Sequence, residues 1–331
     1  MKDFFRNKKK FLLVVMLMVV TLTGCSVPRG QNGKTYVNSI YTNNDVQVKR
    51  GDVDIPDDKE LQKKYKDYKA DDLITIEKTT FSDAMDEGWF NGLIVWPIAF
   101  LINFVADFSD AGIGIIAATF LIQLLIFLFS IKSQVASQRM QSIQPEMNKI
   151  QAKYAGKTDD RSKMQQAQEM QALYSKYKIN PFGTLLVTFI QFPVILGMYQ
   201  ATMRAYSVVT GSFQGINLAK TPIEGFNLGN YWYVVIFVLM VAFQLLSFKM
   251  PQWLQEHRKK KMHVKEKKYA EPKKKGGNGM MGSMNMMMYM NTGMIAIFAI
   301  NWPLGMSFYW LVNSLARVIQ NIVIHKFFIK D

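Results

Sequence analysis

Six of the polar side chains in the longest apolar stretches of this 331-residue chain define the chemistry that those stretches offer. They are Gln123, Gln191, Gln244, Asn313, Arg317 and Gln320. Placing an ionisable group in the middle of a bilayer costs about 2.5–3.5 kcal/mol, so such a side chain is expected to face water or other protein groups. The chemistry that these residues indicate is hydrogen bonding in an apolar interior.

Four polar residues of the last apolar stretch fall on one helical face, because their spacing is i, i+4, i+7 and i+8. They are Asn313, Arg317, Gln320 and Asn321. Such a face predicts either a polar groove or a contact between helices. For the glutamines we favour an interhelical hydrogen bond. For Arg317 we favour a groove, because no apolar stretch carries a carboxylate that would pair with it.

Motifs of catalysis and metal binding are absent from the sequence. It contains no HExxH, no Walker A loop and no GxSxG. The three histidines, His257, His263 and His325, lie in or beside basic segments and form no cluster with carboxylates. We therefore expect a protein that is not an enzyme and that holds no metal and no cofactor.

Cys25 is the single cysteine, and it follows a basic start and an apolar run from Phe11 to Leu22. This order is typical of a secretory signal. A cysteine directly after Leu22-Thr23-Gly24 predicts a bacterial lipoprotein, in which the thiol receives a diacylglycerol. The alternative is an uncleaved signal anchor with a buried thiol.

The elements that position the polar residues are five apolar stretches, each of about the 20 residues that a bilayer requires. They are predicted as membrane spans at 111–131, 183–203, 231–249, 284–302 and 304–325. Basic residues favour the cytoplasmic side of a membrane. Residues 132–178 hold nine Lys/Arg against four Asp/Glu, and residues 249–281 hold eleven against three. Both segments are therefore predicted to be cytoplasmic, with the N-terminus outside and the C-terminus inside.

The remaining segments follow from this orientation. They are a signal peptide at 1–24, an extracellular lipid-anchored tether at 25–88, an outer interfacial helix at 89–107, a cytoplasmic helical hairpin at 132–178, an extracellular loop at 204–230, a basic cytoplasmic loop at 250–281 and a cytoplasmic tail at 326–331. A tether is predicted because residues 26–88 show little apolar periodicity. Trp89 and Trp96 would anchor the interfacial helix, for which the alternative is a re-entrant or core helix.

The hairpin prediction depends on two apolar rows at helical spacing. The first row is Met140, Ile143, Met147, Ile150 and Tyr154, and the second is Met164, Ala167, Met170, Leu173, Tyr174 and Tyr177. Residues 156–160 supply the turn, Asp159 or Asp160 caps the second helix, and Pro145 bends the first. The hairpin is either a contact surface for incoming chains and their delivery factors or a simple solvated element.

Several short motifs, in their order along the chain, resemble the YidC/Alb/Oxa family of membrane protein insertases in its Gram-positive lipoprotein form. The resemblance covers residues 88–327 and rests on Ala118 to Ile122, Gln144 to Met147, Asn180-Pro181, Ile190 to Pro193 with Tyr199, Trp302 to Gly305, Phe308 to Trp310, and Ile319-Gln320. It implies an all-α polytopic membrane protein with a five-helix insertase core around a hydrophilic groove, open to the cytoplasm and sideways to lipid. It further implies that Thr119 and Tyr309 line the side where a substrate helix leaves and that Gln191 faces the groove.

The chain departs from the family pattern at the groove arginine. Four residues after Thr119, where bacterial relatives usually carry arginine, this chain has Gln123, and Leu128 replaces a family proline. Arg317 stands where relatives usually have Ser or Thr. Counting from the outer end of each span, both Gln123 and Arg317 lie about 18 Å deep. Our hypothesis is that the groove charge has moved to the last span, and the competing view is a paralogue with lost or narrowed insertase function.

The resemblance implies a multi-pass protein of the bacterial plasma membrane that receives nascent membrane proteins and releases their helices into lipid, with or without the Sec translocon. Expected partners are those nascent chains, membrane lipids, the Sec translocon, the ribosome and the signal recognition particle receptor. One alternative is a specialised folding or assembly chaperone with reduced insertase activity. Another is a small transporter or channel, which would predict inverted repeats with paired broken helices that the sequence lacks.

Overall fold

The computed structural model describes residues 28–30, 33–179, 181–261 and 280–328, and the predicted signal peptide and Cys25 lie outside them. The described part of the chain is mostly helical, as predicted. It also contains one two-stranded sheet, which was not predicted. Its helices are α1 (Lys59–Lys64), α2 (Phe81–Asp86), α3 (Trp96–Ala106), α4 (Ala111–Ser142), α5 (Gln144–Tyr154), α6 (Asp160–Lys176), α7 (Pro181–Arg204), α8 (Tyr206–Thr210), α9 (Pro222–Asn227), α10 (Trp232–Lys261), α11 (Met280–Asn301) and α12 (Leu304–Phe327). The strands are β1 (Val46–Lys49) and β2 (Leu73–Ile76).

The chain divides into two compact units, and several long helices contribute to both. Unit 1 is Met1–Thr119, Gln191–Val235 and Asn301–Tyr309, and unit 2 is Phe120–Ile190, Ile236–Ile300 and Trp310–Asp331. Each unit therefore gathers three separate parts of the sequence.

A helix covers each of the five predicted spans. Two of these helices extend well beyond the predicted end of the span. Helix α4 continues to Ser142 rather than residue 131, and α10 continues to Lys261 rather than residue 249. In the described part of the chain, 111–140 and 232–258 are long and apolar enough to cross a membrane. Bilayer length set the predicted ends, whereas helix formation continues until the local sequence stops it.

Pro145 begins a helix instead of bending one, which corrects the prediction. Helix α4 ends before Ile143, whose backbone (φ −90°, ψ 3°) is no longer helical, and Pro145 lies in the first turn of α5. Proline is tolerated there because the first N–H groups of a helix have no intrahelical acceptor.

Residues 33–88, predicted as a tether, instead form a small folded element of unit 1 that we call the N-terminal cap. Strands β1 and β2 pair antiparallel, with Val46 opposite Ile76 and Val48 opposite Ile74. Their buried faces pack into one apolar cluster: Val37, Ile40, Val48, Val53, Tyr65, Ile74, Ile76 and Val209. Asp58 caps α1, and Thr80 with Asp83 forms a capping box on α2. At four residues each, the two strands are at the lower limit of length at which alternation indicates a strand.

Within unit 2, helices α5 and α6 of the segment predicted as a hairpin pack against each other. Ile143, Met147, Leu173 and Ile179 are its buried cluster, with Met140, Ile150, Met170, Tyr174 and Tyr177 packed against it. The Asp159 carboxylate accepts the N–H of Ser162 as the cap of α6, and this hydrogen bond lowers the pKa of Asp159. Met164 and Ala167 are the exceptions in the predicted rows, since both are exposed, Met164 to 60%.

Helix α4 is apolar outside and polar inside across its unit 2 portion. Leu121, Leu124, Leu125 and Leu128 are each about half exposed, between 46% and 58%, whereas Gln123 is 3% exposed. A soluble protein would bury those leucines and expose the glutamine. This reversal is what a lipid-facing surface requires.

Candidate functional site

The predicted polar residues of unit 2 come together around Gln123. Its side-chain amide donates to Oδ1 of Asn313, a residue 190 positions further along the chain. The Gln320 amide donates to the backbone carbonyl of Gln123 at 3.2 Å. Gln123 and Asn313 are 3% and 1% exposed. The two helices α4 and α12 are thus joined by buried amides, as the interhelical reading of the glutamines predicted.

Further amides and hydroxyls extend this contact into a network that we call the amide ladder. In its second step, the Ser314 hydroxyl donates to the Gln244 side chain. In its third, the Gln138 amide donates to Asn321 Oδ1 at 3.1 Å and the Gln255 amide donates to the Gln138 carbonyl at 2.8 Å. Three helices of unit 2, α4, α10 and α12, share the ladder.

The ladder is built almost entirely from neutral groups, which decides its energetics. Buried amides that lose a partner cost roughly 1–3 kcal/mol, but a hydrogen bond between membrane helices adds on average about 0.6 kcal/mol. Each contact is therefore weak enough to exchange for a hydrogen bond to another polar chain. Arg317, predicted to face a groove, is partly buried on the same helix as Asn313.

Unit 1 holds the other predicted residues, and here too they are buried. The Gln191 amide donates to the Tyr309 hydroxyl at 3.1 Å, with the two residues 8% and 0% exposed. The Thr119 hydroxyl is also fully buried and donates to the carbonyl of Ile115 in its own helix at 2.7 Å. The prediction that Thr119 and Tyr309 line a path for a substrate helix stays a prediction.

An ionic cluster in unit 1, in which the guanidinium of Arg204 is buried and the Glu87 side chain is 34% exposed, was not predicted at all. The Arg204 guanidinium donates to Oε2 of Glu87 at 2.7 Å, and the Tyr41 hydroxyl donates to the same oxygen at 3.0 Å. Arg204 is 5% exposed and lies over the Tyr41 ring, 5.1 Å from its centroid. Burial, with help from the Glu87 charge and against Arg204, raises the pKa of Tyr41, so its phenol stays protonated.

Sequence reasoning missed two groups of residues, and only one of the two groups carries a local signal. Gln138 and Gln255 lie in α4 and α10 beyond the predicted span ends, so they were placed in cytoplasmic loops. Glu87 and Arg204 lie in segments taken as tether and loop. A rule that extends each span along its helix would have found the two glutamines. The ionic cluster offers no such local signal.

The chemistry that this arrangement offers is hydrogen bonding by buried side-chain amides. In the described part of the chain, no three His, Cys, Asp or Glu side chains lie close enough to hold a metal ion. What is present is a set of buried amides behind helices with apolar exteriors.

Comparison with known proteins shows which family this chain resembles. Residues 103–331 match the family model described as 60Kd inner membrane protein. The chain is 32% identical over 254 residues to Membrane protein insertase YidC 1 of Streptococcus pyogenes serotype M1, which covers 76% of this chain and 80% of that protein. It is 31% identical over 235 residues to Membrane protein insertase MisCA of Bacillus subtilis (strain 168), covering 70% and 77%.

A third relative, Membrane protein insertase YidC 2 of Listeria innocua serovar 6a, is 28% identical over 240 residues, or 72% of each chain. The matches take in the helices that carry the amide ladder and the Gln191–Tyr309 pair. This protein therefore belongs to the YidC/Alb/Oxa family of membrane protein insertases.

Proposed function

We propose that this protein is a membrane protein insertase whose amide ladder receives the polar part of an incoming chain and hands its apolar helix to lipid. The single observation that carries the mechanism is the buried contact between Gln123 and Asn313 behind a leucine-covered face. A substrate's polar segment replaces the neutral hydrogen bonds one at a time. Transfer of its apolar helix to lipid then gains about 0.8 kcal/mol per CH₂, so no nucleotide is needed.

Arg317 supplies the positive charge of the site in this proposal. The family resemblance leads us to expect an arginine where this chain has Gln123, and Arg317 lies one turn after Asn313 on the same helix. An arginine at membrane depth attracts acidic residues of a translocated segment. The groove charge has then moved from the first span to the last.

The test is depletion of the cell's insertases and rescue with variants of this protein. We expect Arg317→Ala to lose insertion of substrates with acidic translocated segments and Gln123→Arg to restore it in the same chain. Arg317→Lys, which keeps the charge, is the matched control, and a substrate with a neutral translocated segment controls for general loss. Full rescue by Arg317→Ala with the acidic substrate would refute the proposed role.

We propose five spans, a cytoplasm-open groove and a lipid-modified Cys25 outside the bacterial plasma membrane. The charge bias of the 132–178 and 249–281 segments supports this orientation. Helix α3 would lie in the outer interface, where aromatic rings are favoured. The rings of Trp96, Phe100, Phe104 and Phe108 form one row with neighbouring centroids 5.3–6.3 Å apart. Phe104 is 49% and Phe108 80% exposed, so this end of the row is open.

The partners in this proposal are nascent membrane proteins and lipids, with the Sec translocon, the ribosome and the signal recognition particle receptor on the delivery side. The hairpin of α5 and α6 is the element offered to delivery factors. Exposed pairs such as Lys153–Glu169 leave its outer surface charged. Hairpin variants would therefore change delivery before they change the amide ladder.

A second candidate function is a folding or assembly chaperone with reduced insertase activity. The observation that favours it is that Gln123 and Asn313 already bond each other, so the site without a substrate is closed by its own amides. A chaperone would bind inserted helices sideways and leave insertion rates unchanged on depletion. Measuring insertion and assembly separately in the depletion strain distinguishes the two.

A further inference from the structure

We propose that the N-terminal cap sets the position of helix α7, with Tyr41, Glu87 and Arg204 as positioning residues for insertion. The inference rests on the proposed insertase function, because α7 is the helix that carries Gln191. It assigns a role to a part of the chain that lies before the family match, which begins at residue 103.

The backbone of Tyr41 forms hydrogen bonds with the backbone on both sides of the point where α7 ends. Its N–H donates to the carbonyl of Arg204 at 2.7 Å, and its carbonyl accepts the N–H of Tyr206 at 3.0 Å. Ala205, between them, is extended (φ −62°, ψ 121°), so the chain leaves α7 there and begins α8. Tyr41 is 2% exposed. The cap thus fixes the backbone of the turn between α7 and α8.

The side chains add an ionic bond to this backbone contact. Oε2 of Glu87 accepts hydrogen bonds from Arg204 at 2.7 Å, from Tyr41 at 3.0 Å and from the Asn91 amide at 3.1 Å. A buried guanidinium without a counter-charge is strongly unfavourable. Arg204 lies inside the family-matched region and Glu87 before it, so the cap supplies the charge that this end of α7 requires.

A third connection joins the cap to α3. The Asn103 amide donates to the Tyr41 carbonyl at 2.7 Å, and its Oδ1 accepts the N–H and the hydroxyl of Ser207 at 3.0 and 2.8 Å. One asparagine therefore links the cap, α3 and α8. The backbone of Tyr41, the carboxylate of Glu87 and the side chain of Asn103 therefore all fix the region where α7 ends.

The consequence for the site follows from Pro193. A proline inside a helix removes one backbone hydrogen bond and marks a place where the helix bends. Pro193 lies inside α7, two residues after Gln191. Loss of the Glu87 charge removes one of these three connections and allows α7 to bend at Pro193, beside Gln191. The 3.1 Å contact between Gln191 and Tyr309 would then lose its geometry.

The experiment compares two variants of the full-length protein in proteoliposomes. Glu87→Gln leaves Arg204 buried without its counter-charge. The double variant Glu87→Gln with Arg204→Met removes both charges, which restores stability because no unpaired charge remains. We expect both to insert a model substrate about tenfold more slowly, a typical size for coupling between distant sites. Asp71→Asn is the matched control, because Asp71 pairs with Lys49 at 3.7 Å on the exposed surface of the same cap.

Thermal unfolding and protease resistance of the cap are measured on the same samples. A double variant that regains stability but still inserts slowly supports the positioning role. A double variant that regains both would overturn it, because the pair would then only neutralise charge. Wild-type protein that is stable but inserts no substrate would instead refute the proposed insertase function.

Discussion

Unit 1 and unit 2 are both built on buried polar contacts, but the contacts differ in charge. In unit 1 a carboxylate, a guanidinium and a phenol meet at Glu87, Arg204 and Tyr41. In unit 2 the corresponding buried contacts are amide to amide, such as Gln123 to Asn313. A buried charge tolerates no loss of its partner, whereas a neutral amide exchanges partners at little cost. In the mechanism proposed above, unit 1 therefore holds a position and unit 2 receives a polar chain.

The comparison predicts that stability depends most on the cap contacts of unit 1. Truncating Tyr41→Ala removes a fully packed ring and should lower the free energy of unfolding by about 3–5 kcal/mol. Tyr41→Phe keeps the ring and should cost only about 1 kcal/mol for the lost hydroxyl bond. Thermal unfolding of purified protein in detergent measures both. If the Tyr41→Ala protein is as stable as the wild type, the prediction that this side chain stabilises unit 1 is wrong.

Tight backbone packing in unit 1 gives the next largest effect. A methyl group added at Gly114 would lie 2.4 Å from the carbonyl oxygen of Ile102, a backbone atom that no side-chain rotation moves. Gly114→Ala should therefore destabilise by about 1–3 kcal/mol through overpacking of α3 against α4. Gly293 is the matched control, since an added methyl there meets nothing within 4 Å. Equal unfolding temperatures for Gly114→Ala and Gly293→Ala would contradict the predicted overpacking at Gly114.

In unit 2 we expect smaller losses of stability and larger losses of function. Gln123→Ala leaves Asn313 without its partner and should cost about 1 kcal/mol. The double variant Gln123→Leu with Asn313→Leu replaces both amides and should be nearly neutral in stability, because no polar group is left unpaired. It should nevertheless insert polar-tailed substrates poorly. Normal insertion by the stable double variant would show that the ladder only joins helices.

The smallest effect is expected at the exposed pair of the hairpin. Hydrogen bonding lowers the pKa of Glu169 and raises the pKa of Lys153. The pair therefore contributes between those two values, and its contribution disappears as the pH falls through the lowered carboxyl pKa or rises through the raised amine pKa. Glu169→Gln should leave thermal stability at neutral pH unchanged within error, because exposed ion pairs contribute little. A clear loss would place this pair among the structural contacts.

Local patterns predicted the parts of this fold that form locally. The hairpin rows, the Asp159 cap and the positions of the five long helices follow from spacing within one segment, and α5, α6 and Asp159 agree with them. The same reasoning singled out Gln123, Gln191, Gln244 and Asn313, which are all buried. It failed for Gln138 and Gln255, because bilayer length ended the predicted spans before the helices end.

The N-terminal cap lay beyond local prediction for a different physical reason. Its core joins residues as distant as Val37 and Val209, and its strands are four residues long. The Glu87–Arg204 bond spans 117 positions of sequence. The partner of Gln123 was likewise unpredictable, since nothing in either segment indicates that Asn313 would meet it. The sequence therefore predicted which kinds of side chain matter, but it did not predict which side chains contact each other.

The central claim is that the amide ladder contacts incoming chains, and site-specific photocrosslinking tests it most directly. A photoreactive residue is placed in turn at positions 119, 123, 309 and 317, with position 71 on the exposed cap as the control. Ribosome-bound nascent chains of a membrane protein are then presented to the full-length protein in membranes. The account predicts crosslinks from 123 and 317 that shift as the chain lengthens, and none from 71. Absence of crosslinks from all four predicted positions would contradict it.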